Sequence, residues 1–340
     1  MRNFEYTTPQ STQQAVALLG QNWSQARVLA GGTDLLALMK DDVEPPKRVV
    51  NIKSIPGLAG IQYNSTGGLK IGALTKLAEA ADNADVQRNY PMLAFAFDEA
   101  ASPQIRNMAT VGGNLCQRPR CWYFRNGFGL LAEKDGKSMV TDGDNRYHAI
   151  IGNQGLAKFV SPSTIAPALI AYGAKLRIVG SAGQREVDLA KFYRTPQSAQ
   201  EHEHDLKPNE VVTEIIVPPT GGAKTAQYEV RQKQTFDWPL SLASVALWMD
   251  GNTVKKANIV LGAVAPVPWV SQEAVQALVG KALNEQTADA AGQAAVAVAK
   301  PLSRNAYKVQ LTRVAVERAL LQAAGNQTAS IHHHAHGGRS

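Results

Sequence analysis

Cysteine is almost absent: the 340 residues hold two, Cys116 and Cys121. That excludes a disulfide-stapled scaffold, a four-cysteine zinc site and a four-cysteine iron–sulfur cluster built from this chain alone. Long apolar runs are missing too, so no membrane span is expected. The opening Met1–Pro9 has no apolar stretch, so an ordinary secretory signal is not expected either. The net charge is +7, yet no run of five basic residues occurs. Nucleic acid is therefore not expected as a partner, whereas a basic surface also suits an acidic protein or a phosphate-bearing cofactor. No internal repeat is present.

Hydrophobic residues make up 44% and charged residues 19%, enough to bury a real core. At about 150 residues per domain, the length suggests two domains or three small ones. The credible boundary is Pro218-Pro-Thr-Gly-Gly222, which divides the chain into 1–222 and 223–325. The first part divides again. Residues 1–55 read as an α/β unit. Ser11-x-x-Gln14 offers a capping box, Arg27–Ala30 a buried strand, Asp34–Lys40 a helix and Arg48–Ile52 a second strand. In 56–222 a hairpin spans Ile61–Tyr63 and Leu69–Ile71, followed by helical patterns at Leu77–Ala81, Pro91–Ala101 and Ile165–Ala171. Lys175–Val179 and Val211–Val217 read as strands, and residues 122–160 as a long excursion. The last part reads as a three-stranded antiparallel meander over Ala226–Val230, Ala243–Met249 and Ala257–Ala263, with a turn at Asp250-Gly251. Helical patterns follow at Gln272–Val279, Ala288–Ala299 and Ala306–Ala323. Four of the seven histidines lie in Ile331–Ser340, and 326–340 is expected to be a disordered His-rich tail.

Two Gly-Gly turns carry the chemistry, Ala30-Gly-Gly-Thr-Asp34 and Thr110-Val-Gly-Gly-Asn114. The first follows a strand and precedes a helix. Glycines there let main-chain N–H groups converge on an anion. Thr33 can donate its hydroxyl to a phosphate. Asp34 repels a phosphate, so it is expected to cap the helix or face a ribose hydroxyl. The second turn offers another set of N–H groups, with Asn114 beside them. For each turn the alternative is a tight turn needing positive φ. Neither matches G-x-G-x-x-G or a Walker A loop. Cys116 is expected to be an inert buried thiol and His148 a structural histidine. Cys121 is read as a packing residue or, by the family resemblance given below, as the remnant of a cluster site. Arg118, Arg120 and Arg125 either steer a partner, neutralise cofactor charge or form a solvated face. His202 and His204 are expected in a solvated acidic loop.

The order of the motifs Arg27–Leu35, Gln104–Asn114 and Ser161-Pro-Ser-Thr-Ile-Ala-Pro-Ala-Leu169 resembles the FAD-binding subunit of molybdenum hydroxylases. That family includes xanthine dehydrogenase, aldehyde oxidoreductase and carbon monoxide dehydrogenase. The resemblance runs from residue 1 to about 325, including Glu210–Pro218 and Asn305-Ala-Tyr-Lys308. The stretch Gln117–Arg125 resembles the bacterial three-subunit branch that includes periplasmic aldehyde oxidoreductases. The resemblance implies an α+β fold: a two-part, PCMH-like FAD-binding domain and a C-terminal domain with a three-stranded antiparallel sheet and helices. It also implies a cofactor site. Arg27, Val28, Leu29 and Ala30 would line the adenosine and diphosphate side, and Gly31, Gly32, Thr33, Asp34 and Leu35 the first loop. Ala100 and Ala101 would pack against FAD. Thr110, Gly112, Gly113 and Asn114 would form the second loop. Leu115 and Cys116 would approach the isoalloxazine ring, and Thr164 and Ile165 would contact FAD. Thr164 stands where relatives have an acid, and Glu229 or Val230 where xanthine dehydrogenases place a flavin-proximal lysine. Some three-subunit relatives bind a [4Fe–4S] cluster from the Cys121 position, but no cysteine follows Cys121, so none is expected here.

The function so implied is electron transfer through FAD. A large subunit would carry the molybdenum cofactor and a small subunit the [2Fe–2S] clusters. No catalytic residue and no metal ligand is expected on this chain. The cytoplasm is the default location, with the periplasm reached by co-export with a signal-bearing partner. The rivals are a self-contained flavin oxidoreductase, an FAD-free scaffold subunit and a basic nucleic-acid binder.

Overall fold

The structure, a computed structural model, describes residues 1–232 and 236–325. The His-rich tail lies outside the described residues. At the N-terminus, β1 (Glu5–Thr7), β2 (Ala26–Leu29) and β3 (Arg48–Asn51) form a parallel sheet in the order β1-β3-β2. Parallel neighbours need crossovers, supplied by the helices Thr12–Leu18 and Leu35–Lys40. Ser11 Oγ accepts from the Gln14 N–H at 3.2 Å. Gln14 Oε1 accepts from the Gln10 N–H at 2.8 Å instead of reaching back to Ser11, so only half of the capping box forms. Ala15, Val16 and Leu19 pack on Val50 and Ile52 beneath this sheet.

The next unit begins with the hairpin β4 (Ile61–Asn64) and β5 (Gly68–Gly72). The chain then runs through the helices Leu77–Asp82 and Pro91–Asp98 into the excursion, which is irregular apart from the helix Trp122–Arg125 and a small hairpin, β6 (Glu133–Lys134) with β7 (Lys137–Ser138). It returns through the helix Ala166–Ala171 to β8 (Lys175–Gly180), β9 (Gly183–Asp188) and β10 (Glu210–Val217). The sheet is antiparallel with order β4-β5-β10-β8-β9. Leu69, Ile71, Leu176 and Ile215 cover one face of it against Leu93, Phe97 and Leu169 from the helices. The polar edge strand β9 has no apolar alternation by which to read it.

In the last unit β11 (Lys224–Val230), β12 (Ser241–Asp250), β13 (Thr253–Gly262) and β14 (Trp269–Val270) form an antiparallel sheet in chain order. The sheet therefore has four strands, not the expected three. The fourth is two residues long, pairing Val270 with Val260 and Trp269 with Leu261. The two faces follow the alternation of β12. Ala243, Val245 and Leu247 pack under the helices Gln272–Leu278, Glu285–Val296 and Tyr307–Ala323, while Ala246 joins the core of the preceding unit. The excursion is tied into the same region. The Ile150 and Ile151 N–H groups both donate to the Val264 carbonyl, at 2.8 and 3.0 Å, and their side chains are fully buried in the C-terminal core. Among the described residues no helix is long and apolar enough to cross a membrane.

Candidate functional site

The loop after β2 lies against the segment before Thr110. A Cβ on Gly31 would sit 2.1 Å from the Met108 carbonyl oxygen, so only glycine permits this approach. Gly32 has φ +78°, a left-handed conformation that glycine adopts without strain. Among the described residues, the N–H groups of Gly31, Gly32, Thr33 and Asp34 meet no acceptor. All four residues line a cleft whose other walls include Thr110, Gly112, Gly113, Cys116 and Arg118. Main-chain donors left unpaired in a row call for an anion or water.

The second Gly-Gly turn works differently. Its N–H groups are committed within the chain: Val111 to the Thr75 carbonyl at 2.9 Å, Gly112 to the Ala73 carbonyl at 2.9 Å, and Gly113 to Thr110 Oγ1 at 3.2 Å. Gly112 and Gly113 have ordinary helical backbone, so positive φ is not their reason. Instead, a Cβ on Gly112 would meet that of Ala73 at 2.8 Å. This turn supplies close approach, and the expected second set of free donors is not there.

Asp34 neither caps the helix nor stands free for a ribose. Its side chain makes no cap bond. Oδ2 accepts from the Arg118 main-chain N–H at 2.8 Å, and Oδ1 lies 2.8 Å from Arg125 Nη2 and 3.0 Å from Arg120 Nη1. Arg118 is 4% exposed, not part of a solvated face. Its guanidinium pairs with Glu44 and lies 2.6 Å from Glu203 Oε1. Arg27 joins this group through Glu44 at 2.9 Å and lies over the Trp23 ring, 4.7 Å from its centre. Burial, and then the neighbouring Arg118, lower the Arg27 pKa to about 10. The pair His202 and His204 is not in a solvated loop. His202 stacks on Trp23 at 4.5 Å, and His204, 7% exposed, stacks on Phe192 at 5.4 Å. Burial holds the His204 pKa down to about 4, so it is neutral at pH 7. No group of three metal-ligating side chains occurs among the described residues.

Of the expected site residues, Arg27, Val28, Ala30, Gly31, Gly32, Thr33, Asp34, Leu35, Thr110, Gly112, Gly113 and Cys116 line this one cleft. Leu29, Ala100, Leu115 and Ile165 are buried core residues and do not line it. Ala101 has φ +58°, and its carbonyl accepts from Arg106 Nη1 at 2.7 Å. Asn114 Oδ1 accepts from Ser163 Oγ at 2.7 Å. Burial pushes the Cys116 thiol up to about 12, as expected for an inert group. The Glu229 side chain is buried, held by Arg231 Nε at 2.9 Å and Gln227 Nε2 at 2.7 Å; burial raises its pKa against the pull of Arg231. Trp23, Glu44, Gln117, Arg118 and His204 also line the cleft. Arg27 and Arg118 gave the only local signal for them, basic residues beside each Gly-Gly turn.

Thr164 lines a second cavity of about 330 Å³ between the excursion and the C-terminal unit. Cys121 Sγ and His148 Nε2 meet there at 3.1 Å. Burial lowers the His148 pKa to about 4 and raises that of Cys121, so the pair is uncharged at pH 7. Lys308, 1% exposed, donates to the carbonyls of His148 at 3.1 Å and Ala263 at 2.6 Å, and burial lowers its pKa to about 7.

Unpaired main-chain donors at a strand end, backed by buried arginines, suit the diphosphate of an extended dinucleotide. Fold and cleft together thus define a dinucleotide-cofactor-binding protein of mixed helix and strand. More narrowly, the chain belongs to the family of FAD-binding subunits of molybdopterin dehydrogenases. Residues 2–220 match the FAD binding domain in molybdopterin dehydrogenase, and residues 226–323 match the CO dehydrogenase flavoprotein C-terminal domain. The aldehyde oxidoreductase FAD-binding subunit of Escherichia coli is 31% identical over 326 residues, 95% of this chain and 99% of that one. The carbon monoxide dehydrogenase medium chain of Hydrogenophaga pseudoflava is 32% identical over 322 residues, 93% and 96% of the two chains. A solved structure of carbon monoxide dehydrogenase from Hydrogenophaga pseudoflava superposes with a TM-score of 0.75 at 30% identity, covering 96% of this chain and 98% of that one.

Proposed function

We propose that this chain is the electron-transfer subunit of a heteromeric molybdenum hydroxylase. It takes electrons from [2Fe–2S] clusters on a small subunit and passes them to an external acceptor, while a large subunit with the molybdenum cofactor hydroxylates the substrate. The observation that carries this is the row of unpaired N–H groups at Gly31–Asp34. FAD fits that row, because its diphosphate supplies the missing acceptors. When bound, it supplies a carrier for one or two electrons.

The residues of this chain do the holding. Gly31, Gly32, Thr33 and Asp34 donate main-chain hydrogen bonds to the diphosphate, and the Thr33 hydroxyl adds one. Arg118 lends positive charge from the cleft wall. Arg27, Val28, Ala30 and Leu35 line the adenosine side, and Thr110, Gly112 and Gly113 close the opposite wall. Asn114, Leu115, Cys116, Thr164 and Ile165 shape the ring end from the second wall and the core behind it. Asp34 fixes the loop by gathering Arg118, Arg120 and Arg125. The chain divides near Pro218–Gly222 into a cofactor-holding part, 1–222, and a C-terminal part, 223–325. Assembly takes place in the cytoplasm, with co-export to the periplasm if a partner bears the signal.

The test uses the assembled complex, reduced anaerobically in a stopped-flow instrument. The expected trace shows bleaching of the [2Fe–2S] bands followed by bleaching of the flavin band. Acceptor reduction at full rate in a complex stripped of FAD would overturn the reading in favour of a scaffold.

A further inference from the structure

The loop after the helix Leu35–Lys40 is strained where it meets the cofactor cleft. Asp42 has φ +58° and Glu44 φ +52°, a left-handed conformation that a glutamate rarely adopts. Pro45 follows Glu44 and restricts its backbone further. Between the two strained residues the chain is pinned. Val43 is 5% exposed, packs with Leu38 and Phe124, and donates its N–H to the Leu38 carbonyl at 2.8 Å. The strained turn places the Glu44 carboxylate in the wall of the cleft that Gly31–Asp34 also line.

That carboxylate has the partners of a phosphate. One oxygen, Glu44 Oε2, accepts from Arg27 Nη2 at 2.9 Å and also from Arg118 Nη1. Guanidinium groups converge in the same way on phosphate oxygens. Arg118 Nη2 has no hydrogen-bond partner among the described residues. The other carboxylate on Arg118 differs in one respect. The Glu203 side chain is 4% exposed and fixed in the interior, whereas that of Glu44 is 36% exposed and can turn to water at little cost. Charge points the same way. The ion-paired side chains of this wall are Arg27, Arg118, Arg120 and Arg125 against Asp34, Glu44 and Glu203, four positive against three negative, a net charge of +1. A diphosphate with one charge on each phosphate makes the wall negative while Glu44 is in place. With Glu44 in water the charges balance.

We propose that Glu44 is a built-in competitor for the cofactor's diphosphate: its carboxylate holds Arg27 and Arg118 until a phosphate oxygen takes the place of Oε2, and Glu44 then turns out to solvent and relieves the left-handed backbone. This regulation of the cleft rests on the flavin-binding reading above. The exchange keeps both guanidinium groups paired with and without the cofactor, so two buried cations never face each other bare. It also sets the FAD affinity below what the Gly31–Asp34 row and the two arginines would give without a competing carboxylate.

Calorimetry on the full chain, with FAD, inorganic pyrophosphate and riboflavin as probes, tests this. Glu44→Gln keeps the side-chain length and a hydrogen-bond acceptor and removes the charge. It should tighten FAD and pyrophosphate by about five- to twenty-fivefold, since each of the two part-exposed ion pairs contributes up to about fivefold. Riboflavin, which has no phosphate, should bind parent and variant alike. Unchanged or weaker FAD and pyrophosphate binding, in a Glu44→Gln chain with the parental urea midpoint, overturns the proposal. Equal tightening of riboflavin overturns it too, because the gain is then not competition for an anion. A second test needs no variant. In a crystal structure of the parent chain with FAD, Glu44 should have left both guanidinium groups, with a phosphate oxygen within hydrogen-bond distance of Arg27 or Arg118; Glu44 still bridging the two overturns the proposal. A parent chain that binds no FAD, while Glu44→Gln still tightens pyrophosphate, overturns the flavin function and keeps the competition for an anion.

Discussion

The tightest spot in the cofactor cleft gives the sharpest prediction. Replacing Gly31 by alanine puts a Cβ 2.1 Å from the Met108 oxygen and 2.9 Å from its carbonyl carbon. Both are main-chain atoms, so no side chain can swing away. An ordinary contact lies near 3.4 Å or beyond. The two loops must therefore part by about an ångström, and overpacking of this kind costs about 1–3 kcal/mol. The same displacement pulls the Gly31–Asp34 N–H row out of line with the diphosphate. A charge-assisted hydrogen bond contributes about 1.5–3 kcal/mol. Losing the equivalent of one weakens FAD binding by about ten- to a hundred-and-fiftyfold. Urea denaturation of the cofactor-free chain reads the first effect, and flavin fluorescence titration reads the second. Gly67→Ala is the control. Its nearest neighbour would be Asn64 at 3.7 Å, its φ is not positive, and it lies in the β4–β5 turn, so both readings should match the parent. A Gly31→Ala chain with parental stability and FAD affinity within about twofold would refute the reasoning.

Other outcomes follow from the same contacts. Asp34→Asn strips the charge from a carboxylate that gathers two guanidinium groups, and should destabilise the fold by about 3 kcal/mol in denaturant titrations; an unchanged midpoint would argue against the cluster. His148 and His204 have folded pKa values lowered to about 4 by burial, below the unfolded value near 6.5. The unfolded chain takes up those protons first, so stability holds above about pH 6.5 and falls as the pH drops towards 4, by about 3 kcal/mol per histidine. Replacing either one by asparagine should flatten that slope in denaturation at pH 7 and pH 4.5. The half-buried Cys116, its thiol raised to about 12, and the half-buried Cys121, also raised, should be alkylated more slowly at pH 7.5 in the native chain than in urea. Native labelling of either as fast as in urea would contradict the raised thiol pKa values.

Much of the cleft was legible because its key residues are adjacent in sequence. Strand, Gly-Gly, Thr, Asp and helix follow one another from Arg27 to Lys40, and local order was enough to place the anion loop. What failed was anything decided by distant partners. Asp34 read as a cap because its arginine partners lie 84 or more residues away. Arg118 and His204 read as solvated because their short segments are polar, yet Glu44, Trp23 and Phe192 bury them from elsewhere in the chain. The second Gly-Gly looked like a donor loop, since nothing local shows that Ala73 and Thr75 take its N–H groups. Strand β14 escaped because two residues carry no periodicity. The tie between Ile150–Ile151 and Val264 had no sequence signal beyond a short apolar pair.

The most direct measurement is the FAD content of the chain purified with its partner subunits, desalted, and then released by acid and identified as the nucleotide. The expected result is a flavin absorption spectrum and about one FAD per chain, lost in Gly31→Ala. A folded, fully assembled complex that retains no FAD after incubation with it would contradict the assignment of the Gly31–Asp34 loop as the cofactor cradle.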